Sequence, residues 1–94
     1  MEEPTVRDNP EAGQYEIIIG DHTAMAAYVR RHDTITFTHT EVPRELEGKG
    51  LAGKIVRFAL EDARAKQLRV IAVCPYVVGY LEKHPEYQDL TKGR

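Results

Sequence analysis

The sequence predicts a single small α+β domain of the α/β type, with the element order β-β-β-α-β-α. Its sheet is predicted to be mixed, mostly antiparallel, with one parallel strand pair joined by a crossover helix. Three observations predict this architecture. The 94 residues suffice for one hydrophobic core. The first half of the chain has strand-like spacing, and residues 51–66 have helical spacing. A continuous apolar run then follows the helix and completes a strand-helix-strand unit.

The first 13 residues have no strand pattern. Residues 1–13 contain two prolines and scattered charges, so we expect a flexible N-terminal arm before a domain of residues 14–94. Gln14–Ile19 is rich in β-forming residues, and a second strand covers about residues 23–31. The tight turn at residues 20–22 joins these two strands into an antiparallel hairpin.

The third strand, residues 35–42, has the clearest alternation. Ile35, Phe37 and His39 fall on one face and threonines on the other, so His39 is predicted to share the apolar face. Residues 70–74 are continuously apolar, as in a strand buried on both faces. A short amphipathic helix is expected over about residues 77–83. The helix of residues 51–66 has an inward face made of Ala52, Val56, Ala59, Leu60 and Ala63.

The crossover unit predicts where a site would form. The end of the first parallel strand, the start of the helix and the end of the second strand lie at one edge of the sheet, where ligands bind. His39, the glycine-rich loop before the helix and Cys74 should therefore converge. Cys74 is the one cysteine of the chain, so it cannot form an internal disulfide. It is either a small buried hydrophobe or a chemically used thiol.

The glycine-rich loop GKGLAGKI, residues 48–55, nearly fits the P-loop pattern of nucleotide-binding proteins. It fails at Ile55, because a serine or threonine is needed there to coordinate magnesium. A P-loop-like nucleotide-binding domain is thus the weakest alternative. Glycines that admit a ligand close to the backbone, followed by a helix N-terminus, still favour an anion. The alternative is that these glycines only form the turn that leads into the helix and bind no ligand.

Three motifs of the chain resemble those of the very small, single-domain GNAT acetyltransferases. Residues 47–52, EGKGLA, resemble the Q/R-x-x-G-x-G/A loop that holds the pyrophosphate of coenzyme A. Residues 39–43, HTEVP, and residues 74–77, CPYV, are similar to two further motifs of that family. The resemblance covers about residues 14–90 and implies a minimal GNAT fold. Glu47 departs from the usual Gln or Arg, and Lys49, Arg44 or Lys54 would offset its charge.

The resemblance also implies an activity and a set of site residues. The activity is that of an N-acetyltransferase that uses acetyl-CoA and no metal. His39 and Cys74 become the candidate catalytic pair, and Tyr80 a candidate general acid. His39 would take a proton from the acceptor amine, while Cys74 would either protonate the departing thiolate or carry the acetyl group. The sequence does not decide between these two roles of Cys74. The implied contacts of coenzyme A are Val42, Glu47, Gly48, Lys49, Gly50, Leu51, Ala52, Gly53, Lys54 and Tyr76.

The composition of the chain limits the kinds of partner and the cellular compartment that we expect. A net charge of −2 with no basic stripe argues against a nucleic-acid partner. No segment approaches the roughly 20 apolar residues of a membrane span, and the acidic start does not resemble a signal peptide, so we expect a cytoplasmic protein. The acceptor amine could belong to a protein, a polyamine or a metabolite, because a tight turn replaces the helices that typical GNAT domains carry between their first strands. A non-catalytic coenzyme A-binding module is the alternative function.

Overall fold

A computed structural model describes residues 5–92 and shows a mixed five-stranded sheet in the order β1-β2-β3-β4-β5. Neighbouring strands are antiparallel except β4 and β5, which are parallel, as predicted for the crossover unit. Short 3-10 helices occur at Arg44–Leu46 and Pro85–Thr91. The other elements are β1 (Arg7–Asn9), β2 (Gln14–Ile19), β3 (His22–Arg31), β4 (Thr34–Glu41), α1 (Leu51–Ala65), β5 (Arg69–Ala72) and α2 (Pro75–Lys83).

Strand β1 was not expected. It pairs antiparallel with β2, so residues 7–9 of the segment expected to be a flexible arm belong to the sheet, and residues 1–4 lie outside the described residues. Its polar side chains surround Glu16, which is only 3% exposed. Arg7 Nε donates to the Glu16 carboxylate at 2.6 Å, and Asn9 donates to it at 3.3 Å. A buried carboxylate requires such partners, so residues with a loop-like composition form a strand here.

Helix α1 packs against one face of the sheet and contributes six residues to the core. Its predicted limits are confirmed to within one residue at the C-terminal end. Ile55 and Leu60 are fully buried, and each such side chain contributes about 1.5–3 kcal/mol by leaving water. Ala52, predicted to face inward, is only half-buried, since the helix presents Leu51 and Ile55 to the core instead.

A bulge in β4 changes which residues face the helices. Phe37 and His39 pair with consecutive residues of β3, which leaves Thr38 as an extra residue. One extra residue reverses the alternation of side chains beyond it. Thr40 therefore pairs with buried Ala26, and the side chain of His39, on the opposite face, is 61% exposed. The prediction that His39 shares the apolar face is wrong for this reason.

The region after α1 departs from the predicted pattern in two ways. Val70 is buried but Val73 is 61% exposed, so this run is not covered on both faces. Pairing of β5 with β4 ends at Ala72 opposite Phe37. Helix α2 begins at Pro75, two residues earlier than predicted, because proline suits the first position of a helix. The two parallel strands therefore separate just before α2, and beyond that point β4 continues to Glu41 paired with β3 but not with β5.

The segment Pro85–Thr91, for which the sequence predicted no structure, attaches the C-terminal part of the chain to α1. Arg64 on α1 donates to the Asp89 carboxylate at 2.8 Å and to the Glu86 carbonyl oxygen at 2.8 Å. Tyr87 is buried and its hydroxyl donates to Glu61 at 2.6 Å. These contacts hold the end of α2 beside α1. Among residues 5–92 we find no helix that is both long and apolar enough to cross a membrane.

Candidate active site

The loop before α1 forms the wall of a cavity of about 260 Å³. Gly48 and Gly50 have φ angles of +83° and +71°, a left-handed conformation that other residues rarely adopt. Gly50 is the N-cap of α1, so the free N–H groups of the first helical turn begin at this loop. The cavity is lined by Val42, Leu46, Glu47, Gly48, Gly50, Leu51, Ala52, Gly53 and Tyr76.

Eight of the ten residues predicted to contact coenzyme A line this one cavity, and Lys49 and Lys54 do not. Their contact with a cofactor stays a prediction, but their arrangement around one space is a property of the fold. Leu46 also lines the cavity and was not among the predicted contacts of coenzyme A. It lies in a 3-10 turn among charged residues and is only 4% exposed. Its burial is the feature that marks it as a lining residue, and the sequence does not show that burial.

The alternative of a nucleotide-binding P-loop finds no support at this loop. Ile55 stands where a magnesium-coordinating hydroxyl would be needed, and it is fully buried in the core. Within residues 5–92 no group of three or more histidine, cysteine, aspartate or glutamate side chains could hold a metal ion. The loop can therefore offer an anion backbone N–H groups and a helix dipole.

Cys74 lies at the junction of β5 and α2, where it is the N-cap residue of α2 and only 4% exposed. Its sulfur is 3.3 Å from the hydroxyl oxygen of Thr40. Because the bulge turns Thr40 toward the helices, this contact joins the end of β4 to the start of α2. The predicted meeting of the two strand ends is thus present, but the residue of β4 that contacts Cys74 is Thr40.

The environment of Cys74 favours its thiolate. Burial raises the pKa of the thiol, but the Thr40 hydroxyl and the backbone N–H groups of Val77 and Tyr76 lower it by more, so the pKa lies below its usual value. The Cys74 side chain forms no capping hydrogen bond with α2. The N–H groups of Val77 and Tyr76 therefore act on the sulfur as dipoles. A lowered pKa is what a nucleophilic cysteine requires.

His39 lies on the other face of β4. Its Nε2 is 3.8 Å from a carboxylate oxygen of Glu41, and both side chains are mostly exposed. The sequence placed His39 on the apolar face of β4, converging with Cys74, and the bulge at Thr38 turns it to the other face. From its exposed position His39 can accept a proton from a molecule that approaches the uncovered face of the sheet.

Tyr80 lies on α2 against the first half of α1. Its ring stacks on His84 with the centroids 4.0 Å apart. Burial raises the pKa of Tyr80, and the charge of Arg57 opposes this only in part. The hydroxyl therefore stays protonated at neutral pH, as a general acid must. Tyr80 also lines a second cavity, of about 240 Å³, with Pro75, Tyr76, Gly79 and Lys83.

The fold and these features define the class of protein. A parallel strand pair that separates before α2, with a glycine-rich loop at the N-terminus of the crossover helix, is the arrangement expected of a minimal GNAT acyltransferase. A family model for the GCN5-related N-acetyl-transferases matches residues 14–90, and the chain belongs to this enzyme family. The resemblance drawn from the three motifs is therefore confirmed.

Two known proteins extend this comparison. Protein NATD1 of Xenopus tropicalis is 29% identical over 59 residues, which are 63% of this chain and 54% of NATD1. The chain thus spans about half the length of this curated relative. The solution structure of a GCN5-like protein from Staphylococcus aureus, itself a proposed N-acetyltransferase, superposes with a TM-score of 0.75. That match has 28% identity and covers 100% of this chain and 93% of the other.

Proposed function

We propose that this chain binds acetyl-CoA and transfers its acetyl group to an amine. Membership of the GCN5-related N-acetyl-transferases supports acetyl transfer in general. The observation that carries the proposal for acetyl-CoA is the cavity formed by Gly48, Gly50 and the first turn of α1. The acceptor is an amine on a protein tail, a polyamine or a metabolite, and the cytoplasm is the compartment that we predict.

The pyrophosphate of coenzyme A would bind to the backbone at the start of α1. The first N–H groups of a helix have no partner within the helix, and they carry a partial positive charge. Glycines at residues 48 and 50 leave no side chain between the backbone and the ligand. Glu47 lines the same cavity and would repel the phosphates. This repulsion weakens binding, and Lys49, Arg44 or Lys54 would compensate for it.

The acetyl thioester would reach the point where β4 and β5 separate. Their last pair is Phe37 with Ala72, and Cys74 follows directly. In one route the Cys74 thiolate attacks the acetyl carbonyl carbon. The new bond between Cys74 Sγ and carbon replaces the bond to the coenzyme A sulfur, which leaves as a thiolate. The acceptor amine then attacks the acetyl-cysteine, loses a proton to a base and restores the Cys74 thiolate.

The second route is direct transfer from coenzyme A to the amine, with His39 or a water molecule as the base and Tyr80 as the proton donor to the departing thiolate. In both routes His39, on the exposed face of β4, is the candidate side chain to take the proton of the acceptor amine. The lowered pKa of Cys74 supports the first route, and the raised pKa of Tyr80 is compatible with the second. Formation of an acetylated Cys74 separates them.

The test combines binding and turnover. Calorimetry with purified protein should detect acetyl-CoA binding in the absence of magnesium, and the protein with labelled acetyl-CoA should transfer label to amines in a lysate of candidate acceptors. Binding without any transfer would support the non-catalytic coenzyme A-binding module. Failure to bind acetyl-CoA, or tight binding of ATP that depends on magnesium, would refute the proposal.

A further inference from the structure

The face of the sheet opposite α1, called the open face below, carries exposed apolar side chains. Val29 on β3 is 49% exposed, Ile71 on β5 is 38% exposed, and Val73 just beyond β5 is 61% exposed. Val29 pairs with Thr36 of β4, and Thr36 pairs with Ile71, so these side chains form one row across the sheet. Monomeric proteins rarely expose large contiguous apolar surface, so the open face is a candidate interaction surface.

The charges of the open face are separated between its two ends. At one end Arg31 and Arg69 pair on either side of Thr34, so both arginine side chains leave the sheet on this face. Neither side chain has an ion pair or a hydrogen bond within residues 5–92. The one carboxylate of the neighbouring turn, Asp33, offsets at most one of these two positive charges. At the other end of β4 lies Glu41, whose side chain is 69% exposed.

The open face also has a hollow and a projection. A cavity of about 520 Å³ lies at the end that carries the arginines. Val29, Thr36 and Ile71 line it together with Arg31, so its apolar wall adjoins a positive charge. His39 projects from the same face beyond the bulge, where its side chain is 61% exposed. The shape and the charge of one end of the face are therefore complementary to those of the other end.

A two-fold axis that lies in the interface and across the strands would bring these complementary ends together. It places β4 of one copy over β4 of the other, in the opposite direction. Four residues of β4 point outward on the open face: Thr34, Thr36, His39 and Glu41. Glu41 then lies opposite the partner's Thr34, between the two arginines, and His39 lies opposite the partner's Thr36, where the cavity is. Both contacts occur twice, as in any two-fold interface.

We propose that the open face binds the open face of a second copy, so that the chain forms a two-fold dimer with Glu41 against the partner's Arg31 and the partner's Arg69. Sheet faces that pack in this way have their strands within about 30° of each other. Five strands about 4.8 Å apart and about six residues long span about 24 Å by 20 Å, which is on the order of 500 Å² in projection. Specific interfaces bury about 800 Å² per partner, so we expect a weak dimer with a micromolar dissociation constant.

The dimer would regulate the proposed reaction. It covers His39, so transfer that uses His39 as the base requires the monomer, and turnover per chain should fall as the dimer forms. This consequence rests on the proposed function, whereas the dimer itself does not. Dimer formation is therefore measured without acetyl-CoA.

Sedimentation velocity of the full chain at micromolar to millimolar concentrations tests the dimer. Glu41→Arg and the double variant Arg31→Glu/Arg69→Glu should each dimerise at least about tenfold more weakly than the native protein, because each homodimer brings like charges together. An equimolar mixture of the two should dimerise again, because both contacts of the mixed pair have opposite charges. Recovery in the mixture also shows that both variants fold.

Arg57→Glu is the control, since it reverses a charge on α1, at the covered side of the sheet. It should dimerise as the native protein does and should not restore the dimer when mixed with Glu41→Arg. A native protein that is monomeric at every concentration would overturn the proposal. So would charge-reversed variants that dimerise like the native protein, or a mixture of them that stays monomeric.

Histidine modification identifies the covered surface. At a concentration where the native protein is mainly dimeric, diethyl pyrocarbonate should modify His39 several-fold more slowly than in Arg31→Glu/Arg69→Glu. His84, which stacks on Tyr80 of α2, should react equally in both proteins. Equal rates at His39 would place the interface elsewhere and overturn the proposal. Failure of the dimer leaves the proposed function intact, and a dimer that does not bind acetyl-CoA would refute the proposed function alone.

Discussion

The hydroxyl oxygen of Thr40 lies 3.3 Å from the sulfur of Cys74 and connects the part of β4 beyond its pairing with β5 to the residue just before α2. The bulge at Thr38 makes this contact possible, since it turns Thr40 toward the helices and His39 away from them. Thr40 therefore joins the residues that control the thiol. His39 is left free to act from the exposed face of the sheet.

Thr40→Val should slow the alkylation of Cys74. Valine has the shape of threonine but cannot donate to the sulfur, so the pKa of Cys74 should rise and less thiolate should be present at pH 7. We expect a three- to tenfold slower reaction with iodoacetamide, about the effect of one hydrogen bond. The pH profile of the labelling rate should move to higher pH. Thr36→Val, on the other face of β4, is the control, and an unmoved profile in Thr40→Val would exclude a role for the hydroxyl.

Cys74→Ala should bind acetyl-CoA nearly as well as the native protein, because the proposed pyrophosphate contacts lie in the loop before α1. If Cys74 carries the acetyl group, the native protein mixed with acetyl-CoA alone should acquire one acetyl group, detected by peptide mass spectrometry and released by hydroxylamine. The variant should form no adduct and lose most of its turnover. Full activity of Cys74→Ala would leave the thiol with a structural role and favour direct transfer.

His39→Ala should slow transfer to an amine by about 10²- to 10⁴-fold, the usual contribution of a general base. Because His39 and Thr40 lie on opposite faces of β4, acetylation of Cys74 by acetyl-CoA alone should continue in this variant. Turnover and adduct formation are measured on the same samples. His32→Asn is the control, since asparagine tolerates the positive φ of residue 32. Equal loss of activity in both variants would show a general effect on folding.

Gly50→Val should abolish acetyl-CoA binding, with a loss of at least about tenfold in affinity measured by calorimetry. The side chain would enter the space next to the first N–H groups of α1 and strain a residue at φ +71°. Gly20→Val is the matched control, because Gly20 has φ +62° and also has open space around it, in the β2–β3 turn. Similar destabilisation of both, with loss of binding in Gly50→Val alone, is the expected result. Retained affinity in Gly50→Val would remove the basis for a pyrophosphate site at this loop.

Arg7→Ala should destabilise the fold by about 1 kcal/mol at pH 7, since it removes a charged partner of the buried Glu16 while Arg7 itself is largely exposed. Hydrogen bonds from Gln14, Arg7 and Asn9 lower the pKa of Glu16 below the ordinary 4.5 against the effect of burial. This stabilisation is present above pH 4.5 and is lost as the pH falls through the lower folded-state pKa.

Urea unfolding at pH 7 and at pH 3 measures this effect. The difference between the native protein and Arg7→Ala should be largest at pH 7 and should shrink on acidification, whereas the control Arg31→Ala should have little effect at either pH. A difference that is equal at both pH values would show that Arg7 does not act through the charge of Glu16.

Several features could be predicted from the sequence because they depend on residues close together in the chain. The helical spacing of residues 51–66 determines α1, and the glycines before it shape the loop cavity through their own backbone angles. Six of the eight predicted residues that line the cavity belong to this one short stretch, residues 47–53. Strand β1 was missed because its stability comes from covering Glu16, seven or more residues away, and not from β-forming side chains.

Taken by itself, the sequence determined the order of the main strands and helices, the parallel pair β4–β5 and the position of the glycine-rich loop before α1, since each follows from local periodicity or from glycine conformation. Only the tertiary structure decided that Thr40 meets Cys74 and that His39 does not. A bulge arises from the pairing of β4 with β3, which no alternation within residues 34–41 reveals. Because strand side chains alternate with period two, that single extra residue moves His39 to the opposite face.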